Sequence, residues 1–82
     1  MKCPVCGNNT LNSYDPEWQI CKECYWEYDS LQVNNPDYAG GANDLSLNQY
    51  KMVYERLKRE NRRFSCKNPK DLEVMLSLVK HE

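Results

Sequence analysis

Cys3-Pro4-Val5-Cys6-Gly7 and Cys21-Lys22-Glu23-Cys24-Tyr25, with fourteen residues between Cys6 and Cys21, decide how this chain folds. Two residues between sulfurs let both thiolates of one tight turn reach the same ion, and a second such turn completes a tetrahedral four-cysteine site. Cys3, Cys6, Cys21 and Cys24 are therefore the expected ligands of one structural Zn2+ per chain. Four protein donors leave no coordination position for a reacting water, so the pattern indicates a metal and not a reaction. Pro4 fixes φ after the first ligand, and Gly7 tolerates a positive φ that turns backbone N–H groups back toward the sulfurs. Tyr25 occupies the position where the second knuckle would favour glycine.

Two other fates for the cysteines are weighed against metal. A pair of disulfides belongs to oxidising compartments. Met1-Lys2 leads directly into the first knuckle, so no leader peptide is expected and the setting is read as cytoplasmic. A thioredoxin-like dithiol comes as a single C-x-x-C near a βαβ pattern, and no such pattern is present. The chain has 82 residues, a size that buries only roughly 60% of its unfolded surface and benefits from a staple. A structural zinc supplies coupled folding energy on the order of 10 kcal/mol. No stretch is apolar and long enough to span a bilayer.

The net charge of −1 conceals a polarity. Residues 1–45 carry two Lys and seven Asp/Glu, whereas residues 46–82 carry nine Lys/Arg and five Asp/Glu. Four thiolates on one Zn2+ would make the first part more acidic still.

Moving outward from the cysteines, Asn8, Asn9, Asn12, Asp15 and Pro16 are turn formers. Trp18-Gln19-Ile20 enters the second knuckle as an alternating segment, and Tyr25-Trp26-Glu27-Tyr28 leaves it as a short strand. With no helix signal directly after Cys24, a zinc ribbon is favoured over a treble clef. Residues 31–45 read as a loop, with Asn34-Asn35-Pro36-Asp37 as a turn and Leu31 and Tyr38 as its anchors to the core. A helix then starts at a capping box, Ser46 with Gln49, stapled by Leu45 and Tyr50. Leu47, Tyr50, Val53, Tyr54 and Leu57 mark its inner face, and it is predicted to run to about residue 61. Its outer side carries Lys51, Arg56, Lys58, Arg59, Arg62 and Arg63, with a Glu55–Arg59 pair at i,i+4. A second helix opens at Asn68-Pro69 with Asp71 in its first turn, and Leu72, Met75, Leu76 and Val79 form its stripe. Lys80 and His81 stand at its negative end. Beyond the two knuckles there is no internal repeat.

The ordered blocks Cys3-Pro4-Val5-Cys6-Gly7, Ile20-Cys21 to Cys24, Trp26-Glu27, Asp29, Gln32, Pro36-Asp37, Gly40-Gly41-Ala42-Asn43 and Ser46-Leu47 resemble the cysteine-rich CPCC family of small, mostly bacterial proteins. The resemblance covers about two-thirds of the chain, from Cys3 to the middle of the first predicted helix. It implies zinc binding and a compact ribbon-like fold, and it brings no established activity. The family name describes Cys-Pro-Cys-Cys. Val5 stands here at the third position, so any role of that cysteine does not carry over.

The aromatic residues Trp18, Trp26, Tyr25, Tyr28 and Tyr38 are read as cover for the metal site and as core. A stacking platform for single-stranded nucleic acid would suffer from Glu27, Asp29 and Asp37 beside it. Glu27 and Asp29 themselves are read as solvated carboxylates. Cys66, between Arg63 and Lys67, is read as a small buried residue in preference to a reactive thiol. No nucleophile–base set or phosphate-cradling loop is visible.

The reading is a small α+β metal-bound domain: zinc-ribbon-like N-terminal hairpins and loop over 1–45, and two C-terminal helices over 46–82 packed on them as one domain. Its expected role is non-enzymatic, a protein-interaction module such as an inhibitor or adaptor in a bacterial or phage conflict system. Arg56, Lys58, Arg59, Arg62 and Arg63 are the expected partner surface. The same residues would serve nucleic-acid binding, the first alternative, and thiol redox sensing is the second. The basic helix and the apolar C-terminal stripe also allow a homodimer.

Overall fold

The computed structural model describes residues 1–80, so the expectation for His81 lies outside the described residues. Three helices follow the cysteine region: α1 (Ser30–Asn34), α2 (Leu47–Glu60) and α3 (Pro69–Val79). The local signals explain two of them. The Ser46 hydroxyl accepts the Gln49 N–H while the Gln49 side chain accepts the Ser46 N–H, which closes the capping box at the start of α2. The Asn68 side chain accepts from the Lys70 N–H, with Pro69 at the first helical position of α3. The Asp71 carboxylate takes the Ser65 N–H at 3.2 Å. α2 buries Leu47, Tyr50 and Tyr54, and α3 buries Met75 and Val79.

These side chains meet Cys3, Val5, Leu11, Cys21, Cys24 and Trp26 from the cysteine region and Phe64 and Cys66 from the α2–α3 connection. Both parts of the chain thus share one core. Trp26 and Tyr50 pack edge to face, with ring centroids 5.1 Å apart and planes at 79°. Tyr54 and Phe64 do the same at 6.2 Å. Among the described residues no helix is long and apolar enough to cross a membrane.

Strand content is slight. The expected hairpins reduce to two single antiparallel bridges, Lys2 with Asn9 and Ile20 with Glu27. Around the second, Trp18 N–H donates to Tyr28 O and Tyr28 N–H to Gln19 O, so the pairing extends by hydrogen bonds without becoming a regular ladder.

Residues 31–45 are more ordered than a loop and are anchored differently than expected. Leu31 and Tyr38 are exposed. The anchor is polar. Asp29, expected in solvent, is buried; it caps α1 through the Leu31 N–H and also takes the Ala42 N–H at 3.0 Å. Gln32, fully buried, shares its amide N–H groups among the carbonyls of Tyr38, Asn43 and Leu45. Its oxygen accepts the Asn43 backbone and side-chain N–H groups. Asn43 in turn pairs with both backbone groups of Glu27, accepting at 3.0 Å and donating at 2.7 Å, as a neighbouring strand would. Gly41 belongs to this network by close approach: a Cβ there would lie 2.6 Å from Asp29 Oδ2 and 2.9 Å from Gln32 Cδ.

Because Gln32 satisfies several buried backbone groups, replacing it with an apolar residue of similar size leaves them unpaired. Gln32→Leu is expected to cost about 2–4 kcal/mol in denaturant unfolding of the metal-loaded protein, despite the gain in hydrophobicity. A change within ~0.5 kcal/mol would show that the network contributes little.

Candidate metal centre

Both knuckles are built on one plan. In the first, Cys3 N–H donates to Asn8 O and Gly7 N–H to Cys3 O; in the second, Cys21 N–H donates to Trp26 O and Tyr25 N–H to Cys21 O. The closing bridge lies one residue before the first cysteine and three after the second in each. The residue that follows the second cysteine is left-handed in both, Gly7 at φ 75° and Tyr25 at φ 68°. Glycine takes this conformation freely, while a tyrosine pays roughly 1–2 kcal/mol for it. Tyr25 recovers part of that cost by packing against the core.

The two turns bring their four sulfurs to within 4.8 Å of one another. Cys3 and Cys24 lie 3.6 Å apart, as do Cys6 and Cys21, each pair spanning the two knuckles. Four sulfurs held ~2.3 Å from a central ion in a tetrahedron are separated by about 3.8 Å. The cluster therefore fits one tetrahedral ion, and all five cysteines of the chain are free thiols. Cys3, Cys21 and Cys24 are buried and Cys6 is partly exposed.

The cluster does not hold its protons evenly. Hydrogen bonds from Cys24, then Cys3 and Cys6, and from Thr10 hold the Cys21 thiol far below its ordinary range. Cys24, which donates into Cys21 first and is buried among the other sulfurs, is raised. A metal ion held by the four sulfurs would take the place of the thiol protons. The Thr10 hydroxyl reaches the Cys21 sulfur at 2.9 Å. In the first knuckle the Cys6 N–H points at the Cys3 sulfur and the Asn8 N–H at the Cys6 sulfur.

The helical part holds the second knuckle in place. Tyr50 O–H donates to Cys24 O at 2.7 Å. Cys66 N–H donates to Glu23 O at 2.9 Å, and Lys67 pairs with the Glu23 carboxylate at 2.9 Å. That ammonium holds the Glu23 carboxyl below its usual range. Cys66 is itself buried, and burial pushes its thiol up to about 12.

The basic residues expected to act together are dispersed. α2 ends at Glu60, so Arg62 and Arg63 lie in the turn after it. The Lys58 ammonium folds back onto the carbonyls of Arg62 and Phe64 at 2.9 and 3.0 Å, closing the C-terminal end of α2. Arg56 pairs with Glu60, whereas the expected Glu55–Arg59 pair is not formed among the described residues. Arg59, Arg62 and Arg63 are exposed. Of the aromatic residues, Trp26, Tyr25 and Tyr28 serve the core, while Trp18 and Tyr38 stay exposed. Thr10 carries no motif signal, and its role emerges only when the knuckles meet.

Two knuckles that close four cysteine sulfurs around one point, with helices packed on them, define a small cysteine-cluster domain able to hold a metal ion. The chain belongs to the cysteine-rich CPCC family, whose sequence model matches residues 1–72, from the first knuckle into the first turn of α3. No curated protein matches the chain.

Two outcomes are expected. Thr10→Val, which removes the hydroxyl from the Cys21 sulfur, should lower metal affinity about 10-fold or more in chelator competition while the loaded protein keeps its fold. Equal affinity would deny Thr10 that role. Cys66, buried and protonated at neutral pH, should resist alkylation by iodoacetamide at pH 7.5 until the protein is unfolded. Rapid labelling in the folded state, read by peptide mass spectrometry, would contradict this.

Proposed function

We propose that this chain is a structural-zinc protein with no catalytic role, a zinc-ribbon-like pair of knuckles that carries a helical surface for another protein. The closed donor set is the observation that supports this best. Four cysteine sulfurs, three of them on buried residues, lie within 4.8 Å of one another, and a tetrahedral ion held by all four would have no open coordination position. Zinc suits such a site because it has no redox chemistry and accepts thiolates at the separation present here. Free thiols in this number fit a reducing, cytoplasmic setting.

The partner surface in this reading is centred on Arg59, at the end of α2, and Arg62 and Arg63, in the turn after it; of the other two expected residues, Arg56 is paired with Glu60 and Lys58 with the Arg62 and Phe64 carbonyls. Residues 46–82 carry nine Lys/Arg against five Asp/Glu, and Arg59 lines a cavity together with Cys6 and Glu23 of the cysteine region, so the basic residues border the metal site and offer positive charge to an acidic protein surface. A chain of this size with such polarity would act by occupying a partner, as an inhibitor or adaptor does, and a bacterial or phage conflict system is the proposed context.

The triple variant R59E/R62E/R63E tests the surface. It should keep its metal content yet lose acidic proteins that the wild type retains from a bacterial lysate at moderate salt. Equal capture by both chains would remove the basic face from the reading. Steep, salt-dependent binding of the wild type to single-stranded or duplex oligonucleotides, abolished by the triple change, would replace the protein partner with nucleic acid.

A further inference from the structure

On the side of α2 turned away from Arg59, the chain leaves an apolar groove between α2 and α3. Val53 and Leu57 form one wall, Val74 and Leu78 the other, and Arg56 and Glu60 line the α2 rim, around a volume of about 330 Å3. Val74 is 45% exposed and Leu78 43%, and Met52, one turn before Arg56, is 70% exposed. Single exposed hydrophobics are ordinary; here Val53, Leu57, Val74 and Leu78 form one contiguous set along two packed helices. Val53 with Leu57 and Val74 with Leu78 are each four residues apart, so each wall is one continuous helical stripe. The α3 wall lies beyond residue 72, outside the matched family pattern.

The rim charges indicate what covers the groove. Arg56 Nε lies 3.4 Å from Glu60 Oε2, with the two side chains 76% and 60% exposed. An exposed pair is worth about 0–1 kcal/mol, and Arg before Glu is the weaker order at i,i+4. Both groups can exchange partners at small cost. One positive and one negative charge four residues apart also make α2 complementary to itself. When a second α2 lies antiparallel with its two-fold axis level with Lys58, each Arg56 and each Glu60 stands about 3 Å along the helix from that axis. Arg56 of one copy then faces Glu60 of the other twice over, and the two Leu57 side chains meet near the axis. Lys58 stays out of the contact because its ammonium is bound to the Arg62 and Phe64 carbonyls. Arg59, two residues from Leu57, points roughly 160° away from it on the helix. A second copy supplies the matching charges and apolar stripe by symmetry alone.

We propose that the groove between α2 and α3 takes a second copy of this chain, in a two-fold dimer with α2 antiparallel to α2, closed by Val53, Leu57, Val74 and Leu78 and by two exchanged Arg56–Glu60 pairs. The surface is distinct from the Arg59–Arg63 face and leaves it open in both copies. Its apolar area is small against the ~800 Å2 per partner of a standard interface, so the association is weak, with a dissociation constant in roughly the micromolar to hundred-micromolar range.

Sedimentation equilibrium of the full, metal-loaded chain from about 1 to 500 µM, spanning that range, tests this. The wild type should pass reversibly from monomer to dimer, and L78E should stay monomeric throughout. R56E and E60R should each dimerise at least tenfold more weakly than wild type, yet form a heterodimer when mixed, because each then supplies the charge the other lacks. All three substitutions are at exposed positions, and unchanged metal content verifies the fold. A wild type that stays monomeric over the whole range, a dimer indifferent to L78E, or single-charge variants that fail to pair with each other would overturn the proposal.

Discussion

Everything in this chain hangs on four sulfur atoms held within 4.8 Å of one another. The knuckles that bring them together are each closed by a single antiparallel bridge, and the segment between them has no regular structure. Such turns are marginal by themselves, since a lone two-stranded pairing is at best barely stable in water. Four thiols crowded at this separation also cannot all ionise without a cation among them. A tetrahedral ion resolves both problems. It would take the place of the protons and turn two weak turns into one cross-linked unit, which couples metal binding to folding.

The rest of the fold then attaches to the second knuckle. Tyr50 reaches the Cys24 carbonyl from α2, the α2–α3 connection donates to Glu23, and Asn43 pairs with Glu27 just beyond the knuckle. This convergence gives the family pattern a physical meaning. Trp26, Glu27, Asp29, Gln32, Gly41, Asn43 and Ser46, which are spread over twenty-one positions of the sequence, come together around the buried Asp29, Gln32 and Asn43. Gly41 is there because Asp29 and Gln32 leave no room for a side chain, and Gln32 because three carbonyls converge on it.

Local signals were readable in advance. The Ser46–Gln49 capping box, the Asn68-Pro69 start and the four-cysteine cluster depend on neighbours a few residues apart or on ligand spacing alone. Long-range polar pairing was not readable. Nothing in Gln32 or Asn43 announces a partner eleven residues away, so apolar Leu31 and Tyr38 looked like better anchors and proved exposed. The five-residue α1 is too short to show a period, and only its Asp29 cap hints at it. Trp18 and Tyr25 hold left-handed backbones that their residue types disfavour, so tertiary contacts determine them. Thr10 and the Arg56–Glu60 rim likewise acquire meaning only once the surfaces they belong to exist.

Native mass spectrometry of freshly purified protein, with circular dichroism before and after chelation, tests the central claim most directly. One zinc ion per chain, lost to chelator together with the helical signal, is the expected result. A metal-free chain whose mass is lowered by the hydrogens of two disulfides, or a fold that survives complete removal of the ion, would contradict it.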